Sequence, residues 1–367
     1  MKYYLIAGER SGDLHAANLM AELKRLDPNA QFRGMGGDYM IGQGLQLAAH
    51  YDAVAVMGFL EVVLGFRKVM KQLSLVKRDL VAFAPDAVVL VDFAGFNMRI
   101  ARFARAYGFP VHYYIVPKVW AWNQKRALTL KKYCHRLYAI LPFEPAFFER
   151  FGLEVPYVGN PLRDELEKFV PDRSFLTTHN LGGKPIVALL PGSRKQEVVA
   201  MLDTMIGLVR EHRQWDFVIA GVRNLPAEVY AQAREEGIMV VFDQTYDLLS
   251  AAHGAVVTSG TATLETALFN VPQVVVYRTS TFTYALAKNL MKVPYISLVN
   301  LIADKEVVRE LIQHEYTRQH LGSELKMLME EGEGREQILK GYTLIQGKLG
   351  TKKASRETAR LIYQELA

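Results

Sequence analysis

Short runs rich in valine and isoleucine recur along this chain, separated by amphipathic segments of helix length, and few folds accommodate that alternation. The runs lie near residues 3–7, 87–92, 111–116, 137–140, 186–190, 217–220, 239–242, 255–257 and 273–277. Helical patterns fall between them, at 14–25, 98–106, 197–212 and 264–269. Strands that are apolar on both faces must be covered on both faces, which predicts parallel sheets between layers of helices. The rhythm breaks at 161–184, a polar stretch containing Pro161, Pro171, Gly182 and Gly183, and a fresh strand follows. The chain has 367 residues, and at roughly 150 residues per domain the break predicts two α/β domains in tandem. Their expected bounds are 1–165 and 166–343, and from about Val307 onward the pattern is helical only.

Composition removes several classes of function. A single cysteine, Cys134, excludes a disulfide framework and a multi-thiolate metal site, and points to a reducing compartment. The apolar stretch 3–7 is too short for a signal peptide, and Glu61 interrupts the longest later candidate, 53–66. No run reaches the roughly 18 apolar residues of a membrane span. The net charge is +6, from 44 basic against 38 acidic residues. A basic excess suits nucleic acid, anionic lipid or a phosphorylated substrate, so the placement of the charges has to decide.

Ligands of parallel sheets bind beyond the carboxyl ends of the strands, and the unusual residues of this chain collect there. In the second half, Pro191-Gly192-Ser193-Arg194 and Ser259-Gly260-Thr261-Ala262-Thr263 each join a buried strand to a helix. Small residues let backbone N–H groups approach a ligand, the helix N-terminus favours phosphate, and Arg194 adds a bidentate fork. Glu265, one turn into its helix, can accept hydrogen bonds from ribose hydroxyls. The same residues also suit ordinary helix caps. Two such loops on one sheet, without a Walker lysine motif, predict a diphosphate site outside the P-loop class.

The first half reads differently. Gly8-Glu9-Arg10-Ser11-Gly12-Asp13 lacks the glycine spacing of a dinucleotide fold, and its carboxylates would repel a pyrophosphate while suiting sugar hydroxyls or proton transfer. Asp92 ends an apolar strand, where desolvation raises a carboxyl towards a useful base; capping of the next helix is its alternative role. His15 and His112 read as surface or core histidines. In 57–78, Met57, Phe59, Leu60, Val63 and Phe66 occupy more than one helical face among Arg67, Lys68 and Lys71. That pattern fits an interfacial helix on an anionic membrane or a buried connecting helix with one solvated face. No RNA-binding module accompanies it, so nucleic acid is not expected.

An ordered set of motifs resembles the lipid-A-disaccharide synthase family: GERSGD at 8–13, MGFLEVV at 57–63, PKVWAWNQKR at 117–126 and LPFEPAFF at 141–148, then YVGNPL at 157–162, LPGSR at 190–194, SGTATLE at 259–265 and SLVNL at 297–301. The resemblance implies a GT-B fold, with two Rossmann-like domains facing one cleft and a C-terminal helix, about 344–367, crossing back to the first. It implies an inverting glycosyltransferase needing no metal and no cofactor, peripheral on the cytoplasmic face of the inner membrane. The expected donor is UDP-2,3-diacylglucosamine and the expected acceptor is 2,3-diacylglucosamine 1-phosphate. On that basis Gly192, Ser193, Arg194 and the N–H groups of Ser259 to Thr263 are expected on the diphosphate, Glu265 on ribose and Asn300 in the cleft. The segment with Met57 to Lys71, Trp120 and Trp122 is expected to face acceptor and membrane. Some family members carry an aspartate of proposed catalytic role where this chain has Gly95. Asp92 is therefore the candidate base, with Asp13 and Glu9 behind it. Other UDP-sugar enzymes of the same architecture, an epimerase or a peptidoglycan lipid-intermediate transferase, and a catalytically dead sugar sensor are the alternatives.

Overall fold

A computed structural model describes residues 1–54 and 62–367. They form two compact units: Met1–Glu167 with Leu349–Ala367, and Lys168–Lys348.

The first unit is a six-stranded parallel sheet of β1 (Lys2–Ala7), β2 (Gln31–Gly36), β3 (Gln46–His50), β4 (Ala87–Val91), β5 (Val111–Tyr114) and β6 (Arg136–Tyr138), in the order β3-β2-β1-β4-β5-β6. The connecting helices include α1 (Arg10–Leu26), α2 (Val62–Phe83) and α3 (Ala94–Ala106). In α1 the apolar residues Ala16, Leu19, Met20 and Leu23 repeat at helical spacing and are buried against Tyr3, Leu5, Ala7, Val89 and Val91. Lys24 and Arg25 in the last turn complement its dipole, and Pro28 prevents its continuation. The same core receives Ala354, Ala359 and Ile362 of the C-terminal helix Ala354–Leu366. Burying an isoleucine of this kind contributes roughly 2 kcal/mol. Asp164 fixes the start of that helix by accepting the N–H groups of Ala354 and Ser355 at 3.1 and 2.9 Å.

The second unit repeats the plan with β7 (Ile186–Leu190), β8 (Asp216–Gly221), β9 (Met239–Phe242), β10 (Gly254–Thr258), β11 (Gln273–Tyr277) and β12 (Glu310–Ile312), ordered β12-β11-β10-β7-β8-β9. Its helices include α4 (Lys195–Glu211) and α5 (Thr261–Leu268).

Three strands were absent from the sequence pattern. In β2, Gly34 has φ +146°, and a Cβ there would lie 1.9 Å from the Leu5 carbonyl oxygen, so close approach to β1 replaces an apolar side chain with glycine. β3 is a half-exposed edge strand, and β12 is a three-residue edge in a region that reads as helical only.

Candidate active site

In an open parallel sheet, a crevice forms where neighbouring strands send their connections in opposite directions. In the first unit that point lies between β1 and β4, where Ala7 pairs with Val91, so the loops starting at Gly8 and Asp92 leave side by side. A Cβ on Gly8 would fall 2.1 Å from the Phe93 ring, which is why glycine stands there. Asp92 and Phe93 both adopt left-handed backbone, with φ of 45° and 49°, and β4 therefore ends at Val91. Such conformations cost about 1–3 kcal/mol each. The turn is held by two donors to the Asp92 carbonyl, Tyr113 Oη at 2.6 Å and Asn97 Nδ2 at 2.8 Å. Burial raises the Asp92 carboxyl above the usual range, and the Glu9 charge raises it further; Lys118 and the Phe93 N–H pull against them. Glu9 is exposed and accepts from Ser11 Oγ at 2.9 Å.

Asp13, expected behind Asp92, is engaged by the main chain. It is 1% exposed, and its carboxylate accepts the N–H groups of Gly37, Tyr39 and Met40 at 2.7, 3.0 and 3.2 Å. It shapes the turn after β2, its carboxylate engaged by three main-chain donors.

In the second unit the corresponding point lies between β7 and β10. Gly192 has φ +118°, and Glu197 reaches back beneath the turn to accept Ser193 N–H and Arg194 N–H at 3.2 Å each and Arg194 Nη1 at 2.8 Å. The Ser193 and Arg194 N–H groups and the Arg194 guanidinium are thus engaged by Glu197 in a capping box that closes the start of α4. The Arg194 side chain is 76% exposed. At the neighbouring loop, the Ser259 N–H is spent on the Val276 carbonyl at 3.0 Å and that of Thr263 on Gly260 at 3.4 Å. Those two residues leave the expected donor set, and the N–H groups of Gly260, Thr261 and Ala262 remain at the start of α5. Glu265 accepts from Tyr246 Oη at 2.9 Å; burial raises its carboxyl, and the Tyr246 bond opposes the rise. Asn300, expected in the cleft, is fully buried. Its Nδ2 donates to Val308 O and Glu310 Oε1, and its Oδ1 accepts from Val307 and Val308, so it ties the short helix Leu298–Ala303 to β12. Among the described residues no three His, Cys, Asp or Glu side chains converge to hold a metal.

The sequence matches the lipid-A-disaccharide synthetase family over residues 3–363. The chain belongs to the lipid-A-disaccharide synthase family. Lipid-A-disaccharide synthases of Geobacter sulfurreducens, Myxococcus xanthus and Coxiella burnetii are 32, 34 and 33% identical to it, over 98–99% of this chain and 96–97% of theirs. Among solved structures, the glycotransferase of kitacinnamycin matches with TM-score 0.70 at 13% identity, over 100% of this chain and 99% of that one. The UDP-GlcNAc 2-epimerase of Neisseria meningitidis, bound to UDP-GlcNAc, matches with TM-score 0.62 at 13% identity over the whole of both chains. The fold is thus that of GT-B enzymes, two Rossmann-like units in tandem, and the protein is a glycosyltransferase of lipid A biosynthesis acting on a UDP-sugar and a lipid acceptor.

Outside the two crevices, the motifs at 117–126 and 141–148 are joined to one another. Trp120, expected to face acceptor and membrane, is 4% exposed. Its Nε1 donates to Glu144 Oε1 at 3.0 Å, while Glu144 Oε2 accepts the N–H groups of Ile140 and Leu141 at 2.9 Å each. Burial pushes the Glu144 carboxyl up to about 7. Trp122 is exposed, with the Arg126 guanidinium 4.6 Å from its ring centre. Arg67, Lys68 and Lys71 are exposed on α2; Val63 and Phe66 lie on the same helix, with side chains outside the description, and Met57, Phe59 and Leu60 lie outside the described residues. No helix among the described residues is long and apolar enough to cross a membrane. At Gly95, in the first turn of α3, a Cβ would meet nothing within 4 Å. Asn97, Tyr113 and Glu197 were not singled out in the sequence, because each acts through a loop contact that spacing along the chain does not encode.

Proposed function

We propose that the chain transfers 2,3-diacylglucosamine from UDP-2,3-diacylglucosamine to the 6-hydroxyl of 2,3-diacylglucosamine 1-phosphate with inversion, giving the β-1,6-linked disaccharide 1-phosphate and UDP. Membership of the family carries this reading, and the contrast between the two crevices supports it. The second unit holds the diphosphate through Arg194 and the N–H groups of Gly260, Thr261 and Ala262, with Glu265 on ribose. The first unit receives the acceptor. Asp92 takes the hydroxyl proton as the new oxygen–C1 bond forms and the C1–oxygen bond to the diphosphate breaks. Positive potential at Arg194 stabilises the charge gathering on the leaving UDP. The cations of α2 and the apolar residues before it rest on the cytoplasmic face of the inner membrane, where both lipid substrates reside.

The test is a product assay with both lipid substrates in detergent micelles and EDTA, read by mass spectrometry. A disaccharide 1-phosphate released with UDP is expected. Binding of the UDP-sugar without any disaccharide would instead indicate a sensor, and lipid-free turnover of UDP-N-acetylglucosamine an epimerase.

A further inference from the structure

The two loops that open the second crevice leave side by side, because Leu190 at the end of β7 pairs with Val257, one residue short of the end of β10. Arg194 stands in the first of them, immediately before α4, with its side chain 76% exposed. Its partner Glu197, one turn on, is 21% exposed. The Glu197 side chain lies under the turn at Gly192, where a Cβ would fall 2.8 Å from both its Cβ and its Oε2, so glycine at 192 leaves room for the carboxylate. The two carboxylate oxygens have different partners. Oε2 accepts the N–H groups of Ser193 and Arg194 at 3.2 Å each, and Oε1 accepts Arg194 Nη1 at 2.8 Å. The main-chain bonds serve the helix start, a role that glutamine fills as well as glutamate. The guanidinium bond is not part of that cap, and an exposed ion pair at this spacing contributes little to stability. Its effect is to fix the direction of a long side chain that otherwise samples many rotamers. The covered carboxylate is the anchored member of the pair, and the exposed guanidinium is the one that is held.

We infer that Glu197 is a positioning residue for the reaction: its Oε1 holds the Arg194 guanidinium at the strand-end crevice in the orientation that receives the donor's diphosphate. The inference deepens the proposed function and rests on its assignment of Arg194 to the diphosphate. Charge alone argues the other way, since a carboxylate beside Arg194 cancels part of the positive potential offered to an anion. Orientation outweighs that loss, because a leaving group is stabilised by donors already aimed at the oxygens where charge collects. The guanidinium is a rigid planar fork, so a bond to one of its nitrogens limits the orientation of the whole group.

The test exploits the different partners of the two oxygens. Glu197→Gln keeps an amide oxygen for the main-chain N–H groups, but its amide nitrogen cannot accept from a guanidinium. Steady-state kcat/KM of the full chain with both lipid substrates in detergent micelles, and UDP binding by calorimetry, are measured for the parent, Glu197→Gln, Arg194→Met and the double variant. Glu197→Gln is expected to lower kcat/KM and weaken UDP binding severalfold with an unchanged melting temperature. The same substitution in the Arg194→Met background should change neither. Glu197→Ala, which also gives up the cap, should melt lower than Glu197→Gln while matching its turnover per folded molecule. Glu197→Gln indistinguishable from the parent, or binding UDP more tightly, would overturn the inference. So would equal losses in both backgrounds, which would assign the effect to the cap. In those cases a large loss in Arg194→Met leaves the donor-site reading intact. Full turnover and UDP affinity in Arg194→Met would instead remove Arg194 from the donor site, and the role of Glu197 with it.

Discussion

The two units share one strand order, yet the first holds 25 basic against 18 acidic residues and the second 19 against 20. The whole basic excess of the protein therefore resides in the unit assigned to the acceptor and membrane. The crevices invert that pattern. The basic unit presents the carboxylates Glu9 and Asp92 at its strand ends, and the near-neutral unit presents Arg194 and bare helix N–H groups. Net charge thus describes the surface a unit shows to large partners, whereas chemistry depends on a few side chains at the strand reversal.

One large effect that could break this comparison is at Arg194. Replacing it with methionine should lower kcat/KM by about 10²–10³-fold, because the leaving diphosphate loses its only side-chain cation in that loop. Retained turnover in steady-state assays would move the donor site elsewhere. Asp92→Asn should lower kcat by roughly 10²–10⁴-fold with an unchanged melting curve. Gly95→Asp, for which the structure has open space, should recover part of that loss in the double variant if position 95 and Asp92 serve the same proton.

A third test sharpens the contrast between chemistry and support. Glu144 is held at about 7, above its ordinary 4.5, so its contribution to stability is complete below 4.5 and is lost as pH rises through 7. The loss is on the order of 3 kcal/mol. Denaturant melts of Glu144→Gln should show a much smaller fall in stability between pH 5 and pH 8 than the parent. Smallest in activity, Asp13→Asn should cost roughly 1–3 kcal/mol of stability while turnover per folded molecule stays near that of the parent. A selective loss of kcat instead would return Asp13 to the reacting groups.

Most strands and the long helices were legible because apolar periodicity is a local property. Apolar runs marked nine strands, and alternation with helices implied parallel sheets. β2 escaped because Gly34 trades a side chain for contact with Leu5, and β12 because three edge residues are too few to show a period. The site was legible in part. Arg194, Gly260 and Asp92 lie at strand ends, which residue order alone locates. Asp13, Asn300 and Trp120 read as site residues because a polar or aromatic group in a motif looks the same whether it meets a ligand or a backbone amide. Burial and partner distances show what each meets: Asp13 main-chain N–H groups, Asn300 main-chain groups and the Glu310 carboxylate, and Trp120 Glu144.

What the sequence by itself determined was the class of fold, the family and the loops in which the chemistry lies, since these follow from periodicity, composition and residue order. What only the tertiary structure decided was which members of those loops are free to act. The left-handed turn at Asp92, held by Tyr113, and the bond from Trp120 to Glu144 both depend on groups far apart in the chain. Their energies come from desolvation and from hydrogen bonds that exist once the strands are side by side.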